Sequence, residues 1–399
     1  MKIGIRNEPS EGGLGGSESA VVLLAEALHQ RRHQVELVHH RRSLTAEQLT
    51  KFTGVDLNGV SLRYVAPKEY SFGTSNNPWL RYQEAQAWQA SLSEPYDLFI
   101  NSTHTIPAFC HAPRGVLLVL FPYKRPSIKP LNGATGGLPP WNRLKEFYHD
   151  WEWKNRLATY QVKTANSRFT QIWTKRRWGV DAEVVYAPVD MDFNIGDKAD
   201  TILSVGRFAT SATSKKQFEM VTAFQQLEGC LAGWVYACVG GLGGSSEEHA
   251  YFESVREVGA ECRAQVRANI ERANLKLLFE RAKIFWHAAG YGENEDDRPE
   301  LTEHFGIVTV EAMAAGCVPI VINKGGQPEI VEHGVNGFLW NTFEELKKYT
   351  MLVARDEQLR RQMAEAARAR AQFFSIEEFV NRFITLLQPL LETETEYIS

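Results

Sequence analysis

The chain has 399 residues, of which 44% are hydrophobic and 23% are charged. This length suits two globular domains, and the composition excludes a disordered chain, a collagen and a small disulfide-rich protein. The 44 basic and 48 acidic residues leave a net charge of −4, so no overall basic field indicates binding to nucleic acid.

The first part of the chain has the pattern of a βαβ unit. Lys2–Ile5 is a predicted strand, a glycine-rich segment at 12–18 follows it, and apolar residues at helical spacing from Val21 to Leu28 predict a helix. This alternation predicts a parallel sheet with helices on both faces. Further strands are predicted at residues 35–38, 97–101 and 116–121.

The same pattern starts again at residue 201. Thr201–Val205 is a predicted strand that ends in Gly206-Arg207, and a helix fits Lys216–Leu227. Further strands are predicted at 234–239, 283–287 and 318–323, and helices at 275–281, 307–315, 327–333 and 373–391. Two doubly wound sheets are the simplest α/β architecture. We predict domains at 1–190 and 191–375, with a C-terminal helix at 376–399 that packs back on the first domain.

One segment, EHFGIVTVEAMAAG, carries two glutamates separated by seven residues, Glu303 and Glu311. On one continuous helix they would lie about 12 Å apart along the axis, too far to share one small ligand group. The spacing therefore places Glu303 in the loop before a helix and Glu311 inside it. The N–H groups of Phe305, Gly306 and Ile307 would then lie at the helix N-terminus, which suits a phosphate. The alternative is a pair of solvated surface glutamates.

This segment resembles the E-x7-E motif of glycosyltransferase family 4, a retaining family with the GT-B fold of two facing Rossmann-like domains and a cleft between them. Other segments match the family in the same order, at residues 12–18, 165–169, 205–215, 325–331 and 334–339. The resemblance implies transfer of a sugar from a GDP- or UDP-linked nucleotide sugar to a hydroxyl of a glycan or lipid-linked acceptor. His304-Phe305-Gly306 and Phe121-Pro122 are similar to mannosyltransferase members.

The resemblance also implies roles for residues of the second domain. Arg207 and Lys215 are expected at the donor diphosphate, where a guanidinium and an ammonium suit phosphate oxygens. Lys216 is an open alternative to Lys215. Glu303 is expected to contact the hydroxyls of the donor sugar, and Glu311 those of the ribose.

In the first domain, the resemblance implies that His104 reaches the donor sugar. It also implies that Gly15 and Gly16 face the diphosphate or the acceptor. The alternatives are a structural histidine and a plain strand-to-helix turn. Because Glu18 stands where a G-x-G-x-x-G motif has its last glycine, a dehydrogenase is disfavoured.

No metal ion or cofactor is expected. The Asp190-Met191-Asp192 triplet resembles a metal-binding D-x-D, but it follows Pro188 at the domain join, so we interpret it as a hinge turn. Residues 141–178 hold five of the ten tryptophans, with nine basic and three acidic residues. This composition predicts contact with an anionic membrane surface or a phosphorylated lipid acceptor, and core packing of the tryptophans is the alternative.

Two other functions remain open. One is a nucleotide-sugar epimerase or hydrolase of the same fold, and the other is a non-catalytic nucleotide-sugar-binding protein. The five cysteines form no CxxC pair, and the first residues lack the hydrophobic core of a signal peptide. We therefore expect a cytoplasmic protein with peripheral contact to the membrane.

Overall fold

The structure is a computed structural model that describes residues 1–8, 14–67, 77–124, 140–210 and 214–392. The chain divides into two compact units. The first contains residues 1–166, 170–185 and those from 380 onward, and the second contains residues 167–169 and 186–379. Among the described residues, no helix combines the length and the apolar character needed to cross a membrane.

The first unit is built on a seven-stranded sheet in the order β3-β2-β1-β4-β5-β6-β7, and all of its neighbouring strands are parallel. Its elements are β1 (Lys2–Asn7), α1 (Gly16–Gln30), β2 (Gln34–His39), α2 (Ala46–Thr53), β3 (Ser61–Tyr64), α3 (Pro78–Ser93), β4 (Leu98–Thr103), β5 (Arg114–Val119), α4 (Pro140–Ala158), β6 (Val162–Ala165), α5 (Arg168–Trp178) and β7 (Glu183–Val184). Strands β1, β4 and β5 lie in the middle of the sheet and carry most of its buried side chains, as expected for strands covered on both faces.

The second unit is built on a six-stranded parallel sheet in the order β10-β9-β8-β11-β12-β13. Its elements are β8 (Ala199–Val205), α6 (Gln217–Leu227), β9 (Val235–Gly240), α7 (Ser246–Ala260), β10 (Ala264–Ala268), α8 (Arg272–Arg281), β11 (Ala282–His287), α9 (Ile307–Ala314), β12 (Val318–Ile322), α10 (Gln327–Ile330), β13 (Phe338–Trp340), α11 (Phe343–Arg355) and α12 (Glu357–Ala371). The last helix, α13 (Ile376–Leu391), begins in this unit, and its residues from 380 onward belong to the first unit. The order reverses between β8 and β11, and such a switch point is where ligands of doubly wound sheets bind.

The two doubly wound parallel sheets confirm the predicted fold class, and most predicted strands are found within two residues of their expected bounds. Two predicted helices need correction. The helix expected at 327–333 ends at Ile330, because the Asn336 side chain accepts the N–H of Glu332 and a turn follows at Gly334, where φ is +79°. The terminal helix begins at Ile376 rather than at residue 373, after a short 3₁₀ turn.

A single lysine, Lys198, joins the C-terminal ends of two helices of the second unit. Its ammonium donates to the carbonyl of Phe279 in the last turn of α8, at 3.2 Å, and to the carbonyl of Ala315 at the end of α9. A cation at this end of a helix satisfies carbonyls that have no partner within the helix and also meets the negative end of its dipole. Burial lowers the pKa of Lys198.

The tryptophans of residues 141–178 are divided between the core and the surface. The side chains of Trp153, Trp173 and Trp178 are buried, and the rings of Trp153 and Trp178 pack edge to face with centroids 5.4 Å apart. Trp151 is 55% exposed. Core packing is therefore correct for three of these side chains, whereas the side chain of Trp141 lies outside the described residues.

Candidate active site

The second sheet places several predicted site residues, and one that the sequence analysis missed, at its carboxyl edge. Gly206 and Arg207 directly follow β8, and His287 is the last residue of the neighbouring strand β11. Glu303 lies in the long connection between β11 and α9. The residues that the motifs singled out in separate parts of the sequence therefore belong to one edge of this sheet, next to its switch point.

Glu303 is the centre of a charged cluster. Its Oε2 atom accepts hydrogen bonds from the Lys215 ammonium at 2.5 Å and from His287 Nε2 at 3.0 Å. Burial would raise the pKa of the Glu303 carboxyl, but Lys215 and His287 hold it well below its usual range. Glu303 is therefore an anion at neutral pH, and its side chain is 19% exposed. No donor among the described residues reaches its other oxygen, Oε1.

The loop that carries Glu303 is supported by the two glycines that precede α10. The Gly326 N–H donates to the carbonyl of Glu303 at 2.8 Å. A Cβ atom on Gly326 would lie 2.7 Å from the Cα of Phe305, so only glycine allows the two backbone segments to approach this closely. The first of the two glycines is held as well, because the Glu295 carboxylate accepts the N–H of Gly325 at 3.0 Å.

Helix α9 begins where the E-x7-E spacing predicted, after Glu303 and before Glu311. Its N-cap, Gly306, has φ +121°, and a Cβ there would lie 2.5 Å from the side-chain nitrogen of Gln327. The N–H groups of Phe305, Gly306 and Ile307 have no acceptor in the part of the chain that the structure describes. They are therefore available to an anion at the positive end of the helix.

Phe305 takes part in this site through its backbone. Its ring is buried and packs against Tyr186 and Phe374, with centroids 5.6 Å and 5.4 Å away. The ring therefore anchors the start of α9 in the core of the second unit, and only the N–H of Phe305 can serve a ligand.

Glu311 lies inside α9, where its side chain is 6% exposed and accepts a hydrogen bond from Arg272 at 2.7 Å. Arg272 is the first residue of α8 and is 62% exposed. Burial raises the pKa of Glu311, and Arg272 opposes that shift. A buried carboxylate held by one partly exposed guanidinium can exchange that partner for ligand hydroxyls.

Lys215 and Lys216 differ in their surroundings. The stem of Lys215 packs so closely on Gly206 that a Cβ on this glycine would lie 2.5 Å from the lysine Cγ. Lys216 is the N-cap of α6 with φ +58°, and its ammonium lies 3.2 Å from a carboxylate oxygen of Glu293. Lys215 is thus the lysine that adjoins both the end of β8 and Glu303.

Arg207 is half-buried in the turn after β8, and its carbonyl accepts a hydrogen bond from the side chain of Gln217 at 2.9 Å.

The D-x-D triplet forms a local turn. The N–H of Asp192 donates to the side chain of Asp190 at 2.9 Å, and Asp192 pairs with Lys276 at 2.7 Å while remaining 86% exposed. Within the described ranges, no group of three or more His, Cys, Asp or Glu side chains is arranged to hold a metal ion.

In the first unit, the turn that carries His104 is held by a buried glutamate. Glu8 follows β1, and its carboxylate accepts the N–H groups of His104 and Thr105 at 3.1 Å and 3.2 Å. The hydroxyls of Thr103 and Thr105 donate to the same carboxylate. Burial lowers the pKa of His104, against the opposing effect of Glu8 and Glu18, so its imidazole is neutral at physiological pH.

The described part of the glycine-rich segment forms the start of α1. Gly15 is the N-cap and Gly16 is the first residue of the helix, and the Glu18 carboxylate accepts the N–H of Gly15 at 2.9 Å. A Cβ on Gly15 would meet only Glu18, at an ordinary 3.6 Å, so the packing of this chain alone does not require glycine there. Gly12 and Gly13 lie outside the described residues.

Three residues of these clusters were missed by the sequence analysis. His287 ends a strand of otherwise mostly apolar residues, Arg272 lies 39 positions from its partner Glu311, and Glu8 directly follows a short strand. The only available signal was position, because each residue ends a strand, follows a strand or begins a helix at the carboxyl edge of a sheet.

Two family models match this chain. "Glycosyltransferase Family 4" matches residues 14–193, and "Glycosyl transferases group 1" matches residues 190–370. Together the two models span residues 14–370, and the chain belongs to the GT-B glycosyltransferases that they describe. The first model covers the region of His104, and the second covers the region of Glu303 and Glu311, so the motif resemblance is confirmed in both halves.

Similar proteins agree with this assignment. Over 256 residues, 59% of its length, this chain is 27% identical to GDP-Man:Man(3)GlcNAc(2)-PP-Dol alpha-1,2-mannosyltransferase of Dictyostelium discoideum. That match spans 48% of the relative, about half of its length. The solved glycosyltransferase from Rickettsia africae superposes with a TM-score of 0.72 at 17% identity, covering 98% of this chain and 99% of the other. Anabaena HepE in complex with UDP and glucose gives 0.66 at 19% identity, covering 98% and 100%. The two solved structures establish the fold.

Proposed function

We propose that this protein transfers a sugar from a nucleotide-diphosphate sugar to a hydroxyl group of a glycan or lipid-linked acceptor, with retention of the anomeric configuration and without a metal ion. The observation that carries the proposal is the Lys215–Glu303–His287 cluster beside the N-terminus of α9. It combines a cation for a diphosphate with an anionic acceptor for sugar hydroxyls at one edge of the sheet.

The division of roles follows from charge. A departing nucleoside diphosphate gains negative charge that must be met by fixed positive groups. We assign this task to Arg207, Lys215 and the N–H groups of Gly306 and Ile307. Glu311 is buried further along the same helix, and its largely exposed partner Arg272 can be exchanged for a ligand, so we assign Glu311 to the ribose hydroxyls.

The proposed reaction forms a bond between the acceptor oxygen and the anomeric carbon of the sugar. The bond between that carbon and the phosphate oxygen breaks, and the departing phosphate takes the proton of the acceptor hydroxyl. We assign Glu303 to a hydroxyl of the donor sugar rather than to protonation of the departing phosphate oxygen, because an ionised carboxylate held by a lysine is a poor general acid. His104, Gly15 and Gly16 are the residues of the first unit that we assign to substrate contact.

The donor base and sugar define the first experiment. A GDP-mannose donor is named for the Dictyostelium relative, and UDP with glucose is bound by the Anabaena structure. Release of nucleoside diphosphate from GDP-, UDP- and ADP-sugars should be measured with and without hydroxyl acceptors, and the product configuration should be determined by NMR. Acceptor-dependent release with retention supports the proposal. Release without an acceptor indicates a hydrolase, an altered donor indicates an epimerase, and binding without turnover indicates a sensor.

We also propose that the first unit contacts a lipid surface through an aromatic cluster, defined as Trp79, Tyr82, Phe147, Tyr148 and Trp151. All five side chains are at least 47% exposed. Trp79 stacks on Tyr82, and Tyr148 contacts Trp151, with ring centroids 6.1 Å and 6.0 Å apart. Arg156 of α4 donates to the side chain of Gln89 of α3 at 2.9 Å, so the two helices that carry the cluster are close together. Tryptophan and tyrosine favour the membrane–water interface.

Sedimentation with liposomes tests this contact. Replacing Phe147 and Trp151 by serine should reduce binding to liposomes that contain anionic lipid, whereas replacing the exposed Ile172 of α5 by serine is the matched control. Equal binding of both variants and the wild type would contradict the assignment of the aromatic cluster. Binding that is lost at about 1 M salt, where screening shortens to about 3 Å, would indicate that charge rather than aromatic burial dominates.

A further inference from the structure

His287 is the one member of the Glu303 cluster without an assigned role. It is the last residue of β11, and its side chain is only 2% exposed. Its Nε2 atom lies 3.0 Å from Glu303 Oε2. Its other ring nitrogen, Nδ1, is buried and has no hydrogen-bond partner within the described residues.

These contacts define the protonation of the ring. Burial lowers the pKa of His287, against the opposing effect of Glu303, so the imidazole is neutral at physiological pH. A buried N–H without an acceptor is costly, whereas a bare ring nitrogen costs less. The single proton therefore lies on Nε2, where it is donated to Glu303, and Nδ1 is the unprotonated nitrogen.

Lys215 and His287 bind the same oxygen of Glu303 but differ in freedom. The side chain of Lys215 packs on Gly206, next to the turn that carries Arg207, and the ammonium at its end can change direction about the outer bonds of its four-carbon stem. The histidine is fixed in the core at a strand end. When Lys215 turns to a diphosphate, as the proposed function requires, His287 is the donor that remains on Glu303.

We propose that His287 is a positioning residue that holds Glu303 Oε2 in place while Lys215 is engaged by the donor diphosphate, so that Oε1 is presented to a hydroxyl of the donor sugar. This inference rests on the proposed function. A neutral donor suits the task, because it fixes the direction of the carboxylate without cancelling its charge. Without it, Glu303 would be a largely buried carboxylate that loses its last donor whenever the donor substrate binds.

Two substitutions separate this role from simple packing. His287→Phe keeps a ring of similar size and removes the donor, whereas His287→Gln places an amide N–H near the position of Nε2. We expect His287→Phe to lower kcat by about 10- to 100-fold, because a charge-assisted hydrogen bond that positions a substrate-binding carboxylate is removed. His287→Gln should recover most of this loss.

Binding measurements distinguish the possible outcomes. A nucleoside diphosphate also draws Lys215 away from Glu303, so its Kd measured by calorimetry should rise by up to about tenfold in His287→Phe and return toward the wild-type value in His287→Gln. Unchanged kcat in His287→Phe, or an equal loss in the Phe and Gln variants with intact diphosphate binding, would overturn the positioning role. A wild-type protein that binds no nucleoside diphosphate would instead refute the proposed function, and this inference with it.

A measurement on the wild-type protein avoids any dependence on the folding of the variants. Two-dimensional ¹⁵N–¹H correlation spectra of the imidazole should show the neutral Nε2–H form of His287 throughout pH 6–8. The Nδ1–H form, or titration of the ring within this range, would contradict the hydrogen bond to Glu303 on which the role depends.

Discussion

The pairing of Lys215 with Glu303 predicts that removing the negative charge of Glu303 strengthens nucleoside diphosphate binding. The ammonium of Lys215 lies 2.5 Å from Glu303 Oε2. A diphosphate that uses Lys215 must compete with this carboxylate. Glu303→Gln should therefore bind the diphosphate more tightly, while turnover falls because an amide no longer offers an anionic acceptor to the sugar.

The size of the effect follows from the geometry. A hydrogen bond between charged groups contributes about 1.5–3 kcal/mol net, and the two side chains are 22% and 19% exposed, so solvent weakens the pair. We therefore expect Glu303→Gln to bind the nucleoside diphosphate about 1–2 kcal/mol more favourably than wild type. Since 1.4 kcal/mol corresponds to a factor of ten, Kd should fall by about 5- to 30-fold.

Glu293 provides a matched control. Its carboxylate lies 3.2 Å from the ammonium of Lys216, and Glu293→Gln removes the same negative charge from the same edge of the sheet. If Lys215 is the phosphate ligand, calorimetry should show a Kd for Glu293→Gln within about twofold of wild type. A Glu303→Gln variant that binds no more tightly than wild type would refute the reasoning. Tighter binding in Glu293→Gln alone would transfer the phosphate role to Lys216.

Four further predictions concern single residues. Glu311→Ala should weaken nucleoside diphosphate binding by about tenfold or more, because a ribose loses its charged acceptor, and an unchanged calorimetric Kd would remove the ribose role. Arg207→Ala should reduce turnover by about 10²–10³-fold, and wild-type turnover should persist in excess EDTA; activity that disappears in EDTA and returns with Mn²⁺ would contradict this. Gly306→Ala should lower the free energy of unfolding in urea by about 1–3 kcal/mol because of its positive φ and the clash with a neighbouring side chain, whereas Gly179→Ala, with φ +74° and open space, should cost less. Because the folded-state pKa of Glu303 is depressed, the stability that it contributes is present above its unfolded pKa of about 4.3 and is lost as the pH falls. The free energy of unfolding measured in urea should therefore fall more steeply below about pH 5 for wild type than for Glu303→Gln.

The sequence was sufficient for features that have a local signature. Alternating apolar strands and helices predicted both parallel sheets, and the spacing of Glu303 and Glu311 placed one before a helix and the other inside it. Short edge strands such as β3 and β10 were missed because their side chains are largely exposed, which removes the apolar run that marks a strand. Contacts between distant positions, such as that of His287 with Glu303, have no local signature, because chain topology alone brings the two residues together.

The lysine at the opposite end of two helices gives the donor site a dependence on a residue far from any substrate. Helix α8 presents Arg272 to Glu311, and α9 presents its free N–H groups, while Lys198 joins their far ends. With ten and eight residues, the two helices are about 15 Å and 12 Å long. Lys198 is therefore one of the contacts that align α8 with α9, together with the Arg272–Glu311 pair at their other ends, and it bears on the spacing of the two N-termini that we assign to the nucleotide. A chemical modification that neutralised this amine would remove one contact to each helix, without changing any residue that we assign to the nucleotide.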